Sequence, residues 1–373
     1  MSNRLRICSM LSALGMLSSA TLFAANGAAP GDPRITGPYV HENLSIFLIH
    51  SARNATGHKL LTLQEAMDQK KAVVYETGEV NELSIENQSS EDVYIQAGDI
   101  VKGGRQDRVL NTDFILPAHS GKLPISSFCV EQGRWSKRGN EAADQFASSN
   151  ALVAGKSLKM AVVAEKDQGQ VWSKVAQERQ SLDMATVASA PPASNGSGSG
   201  GGVGSGGAGG GVVGGVPVRS VAQPAMVNAS TSMQIALESK AVVDATGGYL
   251  RDLEKIVNGQ NDVVGYAYAI NGKLNSADSY ASHELFLKMW PKLLRASAVE
   301  ALTERPKAQA SQKAPEISAV QAMLADADKA GESSKQVNGR LTVVKRDSAQ
   351  VLEFETQDKD SGGGWMHKSY VVK

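Results

Sequence analysis

The chain has 373 residues, with 38 Lys and Arg against 38 Asp and Glu, so its formal net charge at pH 7 is zero. That balance excludes a basic field for nucleic acid, and an aromatic content of 5% leaves few platforms for stacking single strands. Two cysteines, Cys8 and Cys129, are too few for a disulfide scaffold.

The N-terminus has the order of a signal peptide. Arg4 and Arg6 precede an uncharged apolar run from Ile7 to Phe23, and small residues (Ala24, Ala25, Gly27) follow. The run lacks the length and flanks of a stable membrane span, and no later segment is apolar enough to supply one. Residues 1–25 are therefore expected to be removed and the remainder exported, to the periplasm or beyond. Cys8 leaves with the signal and Cys129 stays alone, so the exported chain has to rely on its core for stability.

Short β-prone runs come next: Leu44–His50, Val73–Glu76, Leu83–Glu86, Val93–Gln96, Val109–Leu116, Leu123–Val130 and Leu158–Val163, separated by Asn, Gly, Ser and Pro. Thr62 with Glu65 three residues on predicts a capping box and a short helix. Gln170–Ser181 reads as helix. From Pro191 to Pro217 the chain is Gly, Ser, Ala, Val and Asn without a charge, a composition that cannot bury side chains; 191–217 is expected to be a disordered insertion. Within it, Gly204–Gly209 fits a G-x-G-x-x-G string, but no strand precedes it, so the match is compositional.

Beyond the insertion the apolar spacing becomes helical over Ser230–Val243 and Tyr249–Val257, with Gly247-Gly248 expected to break or kink the pair. Val263–Ile270 alternates as a strand, Asn271-Gly272 signals a hairpin turn, and Lys273–Ala277 returns. Ser282–Leu302 is an amphipathic helix in which Pro291 marks a kink or boundary. Ala319–Ala330 reads as a surface helix, with Leu341–Val344, Val351–Glu355 and Ser369–Val372 as closing strands. The fold class expected is α+β: an antiparallel, β-rich N-terminal part packed with helices from the C-terminal half.

Several of these stretches carry a family resemblance. LTLQEA (Leu61–Ala66), ETGEVNELSIEN (Glu76–Asn87), GGRQDRVLN from Gly103, CVEQGRW (Cys129–Trp135), VWSKV from Val171, the long stretch from Val264 to Ala301, and the closing GGGWMHKSY are similar to the ARG and rhodanese-phosphatase-superfamily-associated protein domain, where ARG stands for ADP-ribosylglycohydrolase. The resemblance implies one domain, 35–373, interrupted by the insertion. It supplies no catalytic residues to carry over.

The densest polar stretch, Gly98–Trp135, holds the candidate site. Gly103-Gly104 can form a backbone nest for an anion or a tight turn. Gln106 and Arg108, two apart on a strand, can bind a carboxylate or phosphate, or hold a neighbouring loop. Cys129 can be a nucleophile if His119 approaches and Glu131 orients it, or an inert buried thiol. Glu131 can act as a base or pair with Arg134 or Arg108. Trp135 can stack on a ligand or fill the core edge, and His367 beside Trp365 can form one wall of a pocket. The remaining histidines lack metal-ligand spacing, so no metal and no cofactor is expected. Gly103, Gly104, Gln106, Arg108, Glu131, Arg134, Trp135 and His367 are the ligand-binding candidates.

Three functions fit these features: a non-catalytic ligand-binding or interaction module for a small anion or an envelope protein, a hydrolase acting on a small ADP-ribose-like or other anionic ligand, and a structural envelope protein. The first accounts best for a polar cluster without a triad or metal set. Export has its own test. Mass spectrometry of the mature protein should place its N-terminus near Ala24–Asn26; an intact N-terminus in the cytoplasm would contradict it.

Overall fold

The structure, a computed structural model, describes residues 33–51, 59–189, 231–305, 313–360 and 364–373. The expected signal peptide and the Gly-rich insertion lie outside the described residues. Within them the chain forms seventeen strands and seven α-helices, an α+β fold whose strand pairs are antiparallel except for Leu60–Thr62 with Asp92–Ile95.

The largest sheet has eight strands. Its order is Arg34–His41, Leu44–His50, Val263–Ile270, Lys273–Tyr280, Gly364–Val372, Val351–Asp358, Leu341–Asp347 and Gly331–Gln336. The second strand of the chain thus pairs with a strand more than two hundred residues later, Leu48 opposite Tyr266 and Leu44 opposite Ile270. One sheet draws on both sides of residues 190–230, and Arg34–Lys373 forms one compact unit. A six-stranded sheet (Phe146–Val153, Asp99–Gly103, Arg108–Leu110, Gly121–Cys129, Glu82–Asn87, Ala72–Tyr75) and a three-stranded one (Leu60–Thr62, Asp92–Ile95, Phe114–Leu116) come from the N-terminal half.

Leu44–His50 is buried along its whole length because helices cover both faces of the large sheet. By the two-residue period, Leu44, Ile46 and Leu48 pack with Phe286, Met289 and Leu293 of the helix His283–Thr303. Phe47 and Ile49 face the other way, toward Val320, Met323 and Leu324 of the helix Ile317–Ala327. The hairpin turn is Asn271-Gly272, both at positive φ (51° and 74°), as a type I′ turn requires. The Thr62–Glu65 capping box forms, opening the helix Leu63–Asp68.

Two expectations need correction, and of two others the break or boundary is excluded. Leu158–Val163 is not a strand: Lys156–Lys159 is a short α-helix that runs into a π-helix, Met160–Glu165. Its apolar run is buried on one side as a helix turn, a case periodicity cannot separate from a short strand. Gly247-Gly248 does not break its helix, which runs from Lys240 to Leu253. Pro291 likewise sits inside the unbroken helix His283–Thr303. The predicted strand Val109–Leu116 is two strands, Arg108–Leu110 and Phe114–Leu116, in different sheets. The turn between them delivers Asp113 to the interior.

Candidate functional site

The GGRQDR and CVEQGRW segments meet because Arg108–Leu110 pairs antiparallel with Ser127–Cys129, Arg108 opposite Cys129. At their meeting point stands Asp107, fully buried. Its carboxylate accepts hydrogen bonds from the Gly103 N–H (2.9 Å), Arg134 Nη2 (3.3 Å), Arg138 Nη1 and Nη2 (3.0 and 3.2 Å) and Ser232 Oγ (2.7 Å). Glu131, also buried, takes Arg134 Nε at 2.5 Å and Arg138 Nη1 at 3.4 Å. Arg134 spends its remaining donors on the carbonyls of Gly103, Gly104 and Ser136.

The glycine pair is a nest already filled from within. Gly103 and Gly104 have φ of 121° and 52°. Gly103 N–H goes to Asp107, Gly104 N–H to the Ala142 carbonyl, and Arg105 N–H to Glu76 Oε2 at 3.0 Å. A Cβ on Gly104 would stand 2.4 Å from Phe146, so glycine is required there for space as well as conformation.

Arg108 is wholly buried. It donates to the Gln106 carbonyl at 3.2 Å and stands 3.6 Å from Glu76, while its Nε and Nη2 and the Gln106 Oε1 have no hydrogen-bond partner among the described residues. Trp135 covers it: the ring centroid lies 5.4 Å from the Arg108 guanidinium and 5.6 Å from that of Arg105. Trp135 is thus a partly exposed cover over a buried cation and not a core residue, 43% of its surface remaining accessible.

The nucleophile constellation does not assemble. His119 is exposed in the turn before the strand Gly121–Cys129, and Cys129 ends that strand, roughly 25 Å further on. Glu131 lies past the strand's end, engaged with arginines. Burial pushes the Cys129 thiol up, against the opposing charge of Arg108, and the thiol donates to the Val80 carbonyl at 3.6 Å. A protonated, enclosed thiol is neither nucleophile nor metal ligand.

His367 belongs to a different centre. Its Nδ1 is 2.7 Å from Asp113 Oδ2 and its Nε2 is 3.1 Å from Asp278 Oδ1. Asp113 also accepts from the Ala97 N–H (2.7 Å), Thr356 Oγ1 (2.7 Å) and Tyr94 OH (3.3 Å). Asp278 is paired with Lys159 Nζ at 3.1 Å, which donates further to Ser369 Oγ at 3.0 Å. Tyr280 stacks on the imidazole with centroids 4.7 Å apart. Burial alone would push the His367 pKa down; the charges and hydrogen bonds of Asp113 and then Asp278 overcome it and raise it to about 9. Burial would raise both acids too, but the His367 imidazolium beside Asp113, and Lys159 with His367 beside Asp278, hold them below the usual carboxylate range.

Asp113, His367 and Lys159 of this chain line the inner wall of a cleft of about 470 Å³, with Asp278 behind them, a size typical of small-ligand sites. The closing strands of the large sheet make one side, and the Asn111–Asp113 turn with the Lys159–Lys166 segment makes the other. Three further lysines line it: Lys166, the left-handed residue ending the π-helix, Lys335 on the edge strand and Lys345 beside it. Lys345 pairs with Asp347 at 3.1 Å, whereas Lys166 and Lys335 make no ion pair among the described residues.

Of the sequence candidates, Gly103, Gly104, Gln106, Arg108, Glu131, Arg134 and Trp135 gather around the Asp107 network, while His367 alone lines the cleft. Asp113, Asp278, Lys159, Lys166, Lys335 and Lys345 were not singled out from the sequence. The edge strand Gly331–Gln336 (GESSKQ) contains no apolar residue to signal a strand, and Lys159 lies inside the run misread as one, with Lys166 just beyond it. No group of three or more His, Cys, Asp or Glu side chains among the described residues could hold a metal, and no described helix is long and apolar enough to cross a membrane.

An α+β protein with a lysine-lined cleft backed by a charge-balanced wall is the class that fold and site define. Residues 32–371 match the model of the ARG and Rhodanese-Phosphatase-superfamily-associated Protein domain, and the chain belongs to that family. No curated protein and no solved structure matches it significantly.

Two outcomes check these assignments. Arg108→Ala should cost about 3 kcal/mol or more in chemical denaturation, since it leaves Glu76 buried without its counter-charge; a loss within about 1 kcal/mol would mark Arg108 as a surface-like binding residue. For His367 the folded pKa of about 9 lies above the ordinary 6.5. Its imidazolium therefore contributes stability that is complete below pH 6.5 and is lost as pH rises through 9. The stability difference between wild type and His367→Gln should shrink across that window; a flat or growing difference would show that the imidazole is held neutral.

Proposed function

We propose that the chain is an exported, non-catalytic ligand-binding module whose ligand is a small anion held in the lysine-lined cleft. The signal-like order of Arg4, Arg6 and Ile7–Phe23 supports export. The observation that carries the binding reading is the charge count of the cleft. At the inner wall, Asp113 and, behind it, Asp278 are balanced by His367 and Lys159. The surplus is positive and sits on Lys166 and Lys335, with Lys345 shared with Asp347. A cleft of one sign with protein walls concentrates ligands of the other.

The same wall argues against turnover. General-base hydrolysis near neutral pH uses a side chain with a lone pair not already engaged, and the Asp113 and Asp278 carboxylates are occupied by their donors. His367 carries both protons and points them at carboxylates, and Lys159 is held by Asp278. Cys129, the other candidate nucleophile, is a buried neutral thiol. The buried polar groups around Asp107 serve the fold in this reading, leaving the cleft as the place where a ligand's charge is still needed.

Isothermal titration of the mature protein with inorganic phosphate and pyrophosphate tests the reading. Binding should weaken steeply as salt rises, and Lys335→Gln with Lys345→Gln should lower affinity about tenfold without changing the melting temperature. Absence of anion binding at low ionic strength, or binding indifferent to both substitutions, would overturn it.

A further inference from the structure

The position of Lys166 is unusual among the cleft lysines. It ends a six-residue π-helix, a form that recurs at functional sites. Its backbone is left-handed (φ 54°, ψ 40°) with its N–H bonded to the Ala161 carbonyl at 2.9 Å. Glycine takes that conformation without strain and a lysine does not. The strained backbone therefore holds an amine-bearing side chain at the cleft, where a glycine would close the helix more easily. Lys335 and Lys345 line the same cleft from two adjacent strands. No carboxylate among the described residues pairs with Lys166, while apolar Val163, Val337 and Phe354 line the cleft with it.

We propose that Lys166 is a covalent anchor, whose ε-amine forms a reversible Schiff base with the carbonyl of a small anionic aldehyde or ketone steered by Lys335 and Lys345. The chemistry needs an uncharged amine, and an isolated lysine is almost wholly protonated at neutral pH. Here partial burial, then the like charges of Lys335 and Lys345, lower the Lys166 pKa; a neighbouring cation is a known way to activate a lysine. The amine lone pair bonds to the carbonyl carbon and the carbonyl oxygen takes a proton, giving a carbinolamine. The C–O bond then breaks, water leaves, and the iminium remains. Nothing is oxidised or reduced, the protons exchange with solvent at the open mouth, and hydrolysis reverses the step. A ligand captured this way is bound and released without being turned over, so the inference rests on the anion-binding reading and adds a carbonyl to the ligand.

Pyridoxal 5′-phosphate, an anionic aldehyde, is the probe. The full-length mature protein is incubated with it, reduced with borohydride, digested and mapped by mass spectrometry. Lys166 should be labelled about tenfold ahead of the average surface lysine, and excess inorganic phosphate should suppress that label selectively. Lys166→Arg keeps the charge but offers no titratable amine; it should lose the label at position 166 while labelling of the surface lysines elsewhere is unchanged. Label spread evenly over surface lysines, or placed on Lys335 or Lys345 with Lys166 spared, would overturn the anchor. If phosphate binds yet Lys166 is unlabelled, the anchor alone fails; if phosphate does not bind at all, the anion-binding reading fails with it.

Discussion

A carboxylate taken out of water must find its counter-charge and donors inside the protein, at a cost of several kcal/mol if it does not. The segment 99–113 buries three of them, Asp99, Asp107 and Asp113. Each finds a partner beyond residue 231. Asp99 pairs with Lys292 at 2.6 Å, Asp107 accepts from Ser232, and Asp113 accepts from His367 and Thr356. The converse pair, Lys159 with Asp278, crosses in the other direction. Apolar contacts between the halves are non-directional, but these pairs fix register and orientation. The strands of the N-terminal half and the helix and closing strands of the C-terminal half are therefore expected to order together.

That requirement explains why the polar density of Gly98–Trp135 looked like a ligand site in the sequence. The residue types that recognise an anion, a glycine nest beside arginines, also recognise a protein's own carboxylate. Asp107 sits where a bound phosphate would, accepting from Gly103, Arg134, Arg138 and Ser232 at once. Composition alone cannot separate the two cases. The difference lies in whether an internal acid reaches the nest, and only pairing of Arg108–Leu110 with Ser127–Cys129 brings the two segments into contact.

The fold was legible where the local pattern had one interpretation. The Asn271-Gly272 hairpin, the Thr62–Glu65 capping box, Leu44–His50 and the long amphipathic helix beginning after Ser282 are all present. It was illegible where burial came from partners remote in sequence. Leu158–Val163 has the composition of a strand, yet its surroundings are the core packed with Val171 and Val175 of the next helix, so a helical turn wins. Gly331–Gln336 is a strand because its neighbour Leu341–Asp347 offers an edge, not because its own side chains bury anything. The cleft is framed by the misread Leu158–Val163 and by Gly331–Gln336, which carried no pattern to read, so its lysines could not be grouped from the sequence. His367 was noticed, but its partners Asp113 and Asp278 lie far away in the chain.

The two polar centres follow one rule with opposite consequences. Around Asp107, two acids meet two arginines that are themselves largely buried, and few donors are left over. The donors that Arg134 and Arg138 turn toward Asp107 and Glu131 are engaged, so an incoming anion there would have to displace a carboxylate that cannot leave, while the unpartnered Nε and Nη2 of Arg108 lie buried beneath Trp135. In the cleft the same balancing stops at the inner wall. Asp113 and Asp278 are each neutralised by a cation from another strand or helix, and the balanced wall adds little field of its own. Lys166 and Lys335 lie outside that balance, each with part of its surface still in solvent. Their like charges repel, so under the proposed anion binding a bound ligand would relieve that repulsion and stabilise the folded protein.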